Sequence, residues 1–102
     1  MKIIEKLSEK IEDEICDAKS YAKMALEYKD EFPELSKALY NLSLQEMDHM
    51  GVLHENVVRL IDKYKEEKGD PPASMLAVYD YLHKQQIEKA SDVKNLQGMY
   101  KK

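Results

Sequence analysis

The chain has 102 residues, of which 43% are hydrophobic and 35% are charged, with three glycines, three prolines and one cysteine. A chain of this length supports one domain with one core, here residues 1–102. The composition is typical of an amphipathic helical protein rather than of a disordered chain. The net charge of −4 leaves no basic surface to neutralise phosphates, so we expect no nucleic-acid partner.

No apolar run approaches the ~20 residues that a membrane-spanning helix needs, so we expect no membrane partner. The first residues, 1–6, become acidic and periodic at once, which is unlike a signal peptide. A single cysteine, Cys16, cannot form an internal disulfide, and this suits a reducing compartment. The sequence therefore predicts a cytoplasmic chain.

A first helix is predicted over Lys2–Lys29. Its apolar residues follow three- and four-residue steps, as one face of a helix requires. They are Ile4, Leu7, Ile11, Ile15, Ala18, Ala22 and Ala25. The helix is expected to end before Pro33, which disfavours helix just before it and suits the first position of the next helix.

A second helix is predicted over Pro33–Lys68, ending at the Gly-Asp-Pro-Pro segment 69–72. Its main apolar face is expected to hold Leu35, Leu39, Leu42, Met50, Leu53, Val57, Leu60, Ile61 and Tyr64. A second apolar set, Tyr40, Leu44, Met47 and Val58, lies about 100° or more around the helix. This helix is therefore expected to contact more than one neighbour.

A third helix is predicted over Ser74–Tyr100, with apolar residues at looser helical spacing that include Ile87 and Val93. The short loop at Pro33 makes residues 2–68 an antiparallel helical hairpin. The sequence thus predicts an all-α fold, a two-helix hairpin plus a third helix, and we expect two hairpins to dimerise into a four-helix bundle.

Polar residues interrupt these apolar faces at the motif Glu46-x-x-His49 and at Glu14. A spacing of three residues separates Glu46 and His49 by about 60° around the helix and about 4.5 Å along it, so both can reach one point. On the first helix Glu14 lies beside Ile11 and Ala18 on the apolar side. Because such groups are costly to bury unpaired, their placement on facing helices indicates a shared partner.

A transition metal is the partner that these side chains suit. Two chains bring four carboxylates, from Glu14 and Glu46, and two neutral imidazoles, from His49. Two divalent ions would balance those four negative charges. Mixed carboxylate and imidazole ligation suits Fe(II) or Mn(II), although Zn(II) can occupy such sites. We therefore expect two metal ions per dimer, iron first, with Mn or Zn as substitutes.

This ligand set resembles that of the ferritin-like di-iron carboxylate bundles, in which one glutamate and a Glu-x-x-His motif occur twice. Ferritins and bacterioferritins carry a tyrosine near the metal seven residues after the first glutamate, and Tyr21 follows Glu14 at that spacing. The resemblance covers roughly residues 4–64. It implies that Glu46 bridges the metals, Glu14 is a terminal ligand, His49 is the nitrogen ligand, and Tyr21 is a hydrogen-bond donor or one-electron reductant.

One chain carries only one such helix pair, and this departure resembles the encapsulated ferritins, which complete the site across a dimer. The resemblance makes an encapsulin-type shell a candidate partner, although no targeting extension is recognisable after Gly98. No CxxC pairs are present for a rubredoxin-type centre. Any electron-transfer partner would therefore be a separate protein.

The resemblance implies a ferroxidase-like oxidoreductase that oxidises Fe(II) with O2 or H2O2 at a site shared across a homodimer, for iron storage or detoxification. The alternative is a structural adaptor in which the buried Glu/His cluster specifies how helices pair. Two further histidines lie outside the motif: we expect His54 to be partner-facing or solvated, and His83 to be a surface residue.

Overall fold

The computed structural model describes residues 1–102 and contains three α-helices and no strand. Helix α1 spans Lys2–Glu27, α2 spans Pro33–Lys68 and α3 spans Ala73–Lys101. The all-α fold is confirmed, and the predicted ends of the helices agree with the observed ones to within two residues. No helix is both long enough and apolar enough to cross a bilayer.

The two loops follow from local backbone chemistry. Pro33 occupies the first turn of α2, where its missing N–H removes no helical hydrogen bond. At the other end Gly69 has a φ of 82°, a left-handed conformation that glycine adopts without a Cβ clash. Pro71 and Pro72 follow and separate α2 from α3. Both connections are short, so consecutive helices are antiparallel.

Small residues hold α1 and α2 together near their loop. The Ser36 hydroxyl donates a hydrogen bond to the carbonyl oxygen of Ala25, and the Ser43 hydroxyl donates one to that of Ala18. All four residues are buried. Since alanine and serine are small, the helix backbones lie close enough for a side-chain hydroxyl to reach the opposite main chain. The paired numbers run in opposite directions, which confirms the antiparallel hairpin.

Helix α3 packs mainly along α1 and makes less contact with α2. Its buried Val93 joins Ile11, Ile15 and Ala18 in one apolar cluster. Near the same level, the Gln97 amide donates a hydrogen bond to Ser43 Oγ at 2.9 Å. At the side of this contact Lys89 pairs with Glu12 at 3.3 Å. Helix α3 therefore covers one side of the hairpin and leaves the other side open.

The predicted apolar faces are wrong at several positions. Leu35 and Leu42 are exposed, whereas the neighbouring Ser36 and Ser43 are fully buried. In α3 Ile87 is exposed. The adjacent Gln86 is buried in its place, and the other buried residues of α3 are Ala90, Val93 and Gln97. On α2 the difference arises because the helix backbones approach closely at Ser36 and Ser43. This approach turns the side of α2 that carries Leu35 and Leu42 away from both other helices.

The Ser43→Ala variant is expected to lower the free energy of unfolding by about 1–3 kcal/mol, because it leaves the buried Gln97 amide without its acceptor. Urea unfolding followed by circular dichroism measures this change. Ser20→Ala, the same substitution at an exposed position of α1, serves as the control and should shift the midpoint little. Equal midpoints for the two variants would show that the buried link adds no stability.

Candidate metal centre

The structure brings Glu14, Glu46 and His49 together, and we refer to these three residues as the triad. One potential ligand atom from each residue lies within 4.8 Å of the others. His49 Nδ1 is 3.5 Å from Glu14 Oε2 and 3.8 Å from Glu46 Oε2. Glu14 comes from the middle of α1, and the other two come from one turn of α2. The hairpin alone therefore assembles the triad.

One oxygen of the triad has no hydrogen-bond partner. Glu14 Oε2 is excluded from solvent and accepts no hydrogen bond from any protein group. A desolvated carboxylate oxygen without a donor or a cation is costly. Its neighbours within reach are the His49 ring nitrogen and the Glu46 carboxylate. A metal ion among these three groups would satisfy that oxygen, so the residues fit a metal.

The triad lies at the flank of the hairpin rather than in the interior that the sequence indicated. The side chain of His49 is 59% exposed, and those of Glu14 and Glu46 are 24% and 19% exposed. Helix α3 contacts α1 at Glu12, which points about 160° away from Glu14 around the helix. The triad thus faces away from α3, on the uncovered side of the hairpin.

The same uncovered side carries apolar residues, and we call it the open face. Residues spaced by seven lie within about 20° of one another on a helix. On α1 this relation places Leu7 and Tyr21 with Glu14, and on α2 it places Leu42 with His49, while Leu35, a further seven residues away, lies within about 40°. Leu35 and Leu42 are both exposed. Exposed leucines therefore lie on the same side of the hairpin as the triad.

Tyr21 lies on the open face two turns beyond Glu14. Its ring packs against the cluster of Ala25, Leu39 and Tyr40. Among the side-chain hydrogen bonds of the chain, none joins Tyr21 to the triad. At about 10 Å of helical rise from Glu14, its position supports a packing role in the single chain.

The ligands of one chain are too few to enclose two metal ions. The triad supplies two carboxylates and one imidazole, a set that suits hard or borderline divalent ions of the first transition series. One ion held by these groups would keep positions open toward the solvent. A second copy of the open face, brought against the first, would supply the same groups again.

Sequence reasoning missed one polar arrangement elsewhere. The rings of His54 and His83 stack between α2 and α3, with centroids 4.7 Å apart and an interplanar angle of 15°. Burial, and then the neighbouring His83, lower the pKa of His54 below its usual value. His83 is exposed, as expected of a surface residue, and His54 is half-buried. Their pairing has no signal in the sequence, because it depends on where α3 lies.

No protein-family model, curated protein or solved structure matches the chain. The geometry of the side chains therefore carries the functional conclusion.

Proposed function

We propose that two copies of this chain associate through their open faces and oxidise Fe(II) with O2 or H2O2 at a site built from both triads. One observation carries the proposal: a solvent-excluded carboxylate oxygen, Glu14 Oε2, lies among a second carboxylate and an imidazole with no donor to satisfy it. A bound cation would remove the free-energy cost of leaving that buried oxygen without a partner.

The open face supports the dimer. The exposed Leu35 and Leu42 lie on this face, and burial of such apolar surface is favourable by roughly 25 cal/mol per Å². Association through this face would bring two sets of Glu14, Glu46 and His49 toward one another and form a four-helix bundle. Four carboxylates crowded together repel one another. Two divalent ions would neutralise them, so metal binding and association would support each other.

In this proposal Fe(II) is the substrate, held by Glu14 as terminal carboxylate, Glu46 as the carboxylate shared between two ions, and His49 as nitrogen ligand. Two Fe(II) ions give up one electron each, and the oxidant takes both electrons with two protons, so that O2 becomes H2O2 or H2O2 becomes two waters. The protein holds the ions close together with open positions. Tyr21 is the candidate hydrogen-bond donor or one-electron reductant, acting once a partner orders the open face.

The product, Fe(III), would then be stored or rendered harmless. Storage needs an enclosed volume, and a higher homo-oligomer or an encapsulin-type shell would provide it. Detoxification needs only the reaction itself. The net charge of −4 favours the attraction of cations to the surface in either case. Mn(II) or Zn(II) would compete for the same ligands.

A structural adaptor is the second candidate, and a specific distance favours it. With a protonated His49, the contacts of 3.5 and 3.8 Å to Glu14 and Glu46 would be ion pairs. The imidazolium charge would then balance part of the negative charge of the two carboxylates without a metal ion. Buried polar groups of this kind can specify which helices pair and in which register. In that case association would not depend on a metal ion.

Titration of the metal-free protein with Fe(II) in air separates these functions. We expect saturation at about one iron per chain, the ratio of a dinuclear site shared by two chains, with near-UV absorbance rising faster than in buffer. The same titration with chelator present controls for adventitious oxidation. Oxidation at the buffer rate with no bound iron would contradict the ferroxidase proposal and favour the adaptor.

A further inference from the structure

Two adjoining clefts lie between α2 and α3, on the opposite side of the hairpin from the triad. They have volumes of about 210 and about 440 Å³ and share His54, His83 and Gln86 as walls. None of the triad residues lines either cleft. These clefts are therefore a separate feature of the molecule and do not depend on the proposed iron site.

The smaller cleft has apolar walls contributed by all three helices. Its aliphatic lining includes Ile4, Ile11, Val57, Ile61 and Leu82. Its volume of about 210 Å³ lies below the range of about 300–1,000 Å³ that is usual for drug-sized ligands. Apolar walls around a cleft of this volume suit an aliphatic chain of several carbon atoms, and an unbranched chain gains affinity with each methylene group that it buries.

Gln86, which lines both clefts, carries a buried hydrogen-bond donor without an acceptor. Gln86 is 7% exposed, and its Nε2 atom is shielded from solvent with no hydrogen-bond partner. An unsatisfied buried amide is costly. The two adjacent imidazole rings can each present an N–H group as well. A ligand oxygen would supply the missing acceptor after a turn of the Gln86 side chain brings its amide nitrogen to the surface of the clefts.

The charged groups around the clefts indicate how such a ligand would lie. Helix α1 contributes Ile4, Ser8 and Ile11 and no ionisable group, and the only titratable residue that lines them from α2 is His54. From α3, Tyr79 and Asp80 border the smaller cleft, whereas Lys94 borders the larger one. An anionic head group would thus lie toward Lys94 and away from Asp80.

We propose that these clefts bind a small unbranched monocarboxylate. Its aliphatic chain lies in the smaller cleft, and its carboxylate accepts hydrogen bonds from Gln86 and the histidine pair on the side of Lys94. Because burial and His83 lower the pKa of His54, the ring is neutral at neutral pH. A bound carboxylate favours the imidazolium form and raises that pKa, so binding takes up a proton and strengthens as the pH falls through the pKa of His54 in the complex.

Calorimetric titration of the full chain with octanoate tests the proposal. We expect saturable binding at one site, with hexanoate roughly tenfold or more weaker, since each methylene group contributes about fourfold in affinity. 1-Octanol, with the same chain but no charge, should bind more weakly and without the pH dependence. NMR signals of His54 and His83 should shift with octanoate. No binding of octanoate, equal binding of hexanoate, or equal binding of 1-octanol would overturn the proposal.

Two variants locate the site. Gln86→Leu should weaken octanoate binding roughly tenfold or more, since a hydrogen bond to a charged group is lost. Gln85→Leu is the matched control, because that side chain bonds to Tyr81 on the exposed surface, and it should bind as the wild type does. Ile61→Phe should block the smaller cleft while Gln86 is retained. Wild-type affinity in both Gln86→Leu and Ile61→Phe would place the ligand elsewhere and refute the assignment.

Discussion

The Glu46→Ala variant is expected to bind Fe(II) at least roughly 100-fold more weakly than the wild type, and to oxidise it no faster than buffer does. Loss of groups that only support a metal ligand already costs about 10–100-fold in affinity or activity. Glu46 is assigned as a ligand in its own right, and one that both ions share. Its removal would leave Glu14 and His49 of each chain, which is too few groups to hold two ions close together.

Stopped-flow absorbance in the near-UV and bound iron per chain measure this loss. Glu55→Ala is the matched control, because Glu55 is an exposed glutamate of the same helix whose ion-pair partner is Arg59, at 3.6 Å. Circular dichroism should show the same helix content in both variants. Oxidation at the wild-type rate in Glu46→Ala would exclude the triad as the reaction site, whatever activity the chain has.

Fe(II) or Mn(II) is expected to promote dimerisation strongly. A ligand that binds only one state stabilises it by about 2.7 kcal/mol when its concentration is about 100 times Kd. Two ions bound only by the dimer would therefore strengthen association by roughly 10⁴-fold, with each tenfold factor worth about 1.4 kcal/mol. In the metal-free protein the repulsion among the carboxylates of two triads opposes association.

Sedimentation of the protein with metal and with chelator measures this coupling. In His49→Ala the metal should have little effect, because each ion loses its nitrogen ligand. Leu42→Lys should weaken the dimer with or without metal. Leu44→Lys is its control, since both leucines are 37% exposed but lie about 160° apart around the helix. A dimer equally stable with chelator, or one that Leu44→Lys weakens as much as Leu42→Lys, would contradict association through the open face.

The separate outcomes distinguish the two functions that the triad supports. Metal-dependent association with loss of oxidation in Glu46→Ala supports the ferroxidase. Association that is equally strong with and without metal, but is weakened by Leu42→Lys, supports an adaptor. In that case the ion pairs of His49 help to specify which helices pair. The octanoate experiment is independent of both, because the clefts lie between α2 and α3.

Much of the candidate site could be predicted from the sequence. The i, i+3 spacing of Glu46 and His49 places both on one side of any α-helix, whatever the rest of the chain does. Pro33 limits the loop to a few residues, so α1 must run back along α2. Glu14 and Glu46 then lie at the same level of the hairpin. The pairing of Glu46 with His49 and the level of Glu14 follow from local rules, and these rules hold before any tertiary packing is known.

The neighbours of the triad could not be predicted in the same way. A broad apolar face on α2 permits several rotations against α1, and the sequence favoured one with Leu35 and Leu42 inside. In the structure Ser36 and Ser43 lie inside instead, because hydroxyl groups that bond to the opposite main chain allow a closer backbone approach than leucines do. That choice also determines that the triad lies at a flank and not in the core.

The amino-acid sequence by itself determined the helices, their ends and the three residues of the triad, since these depend on backbone conformation and helical periodicity within short segments. Only the tertiary structure decided which side of the hairpin α3 covers. The open face around the triad, the stacked pair of His54 and His83, and the unpartnered amide of Gln86 all follow from that placement. It depends on how side chains distant in the sequence pack together, and such packing has no local pattern.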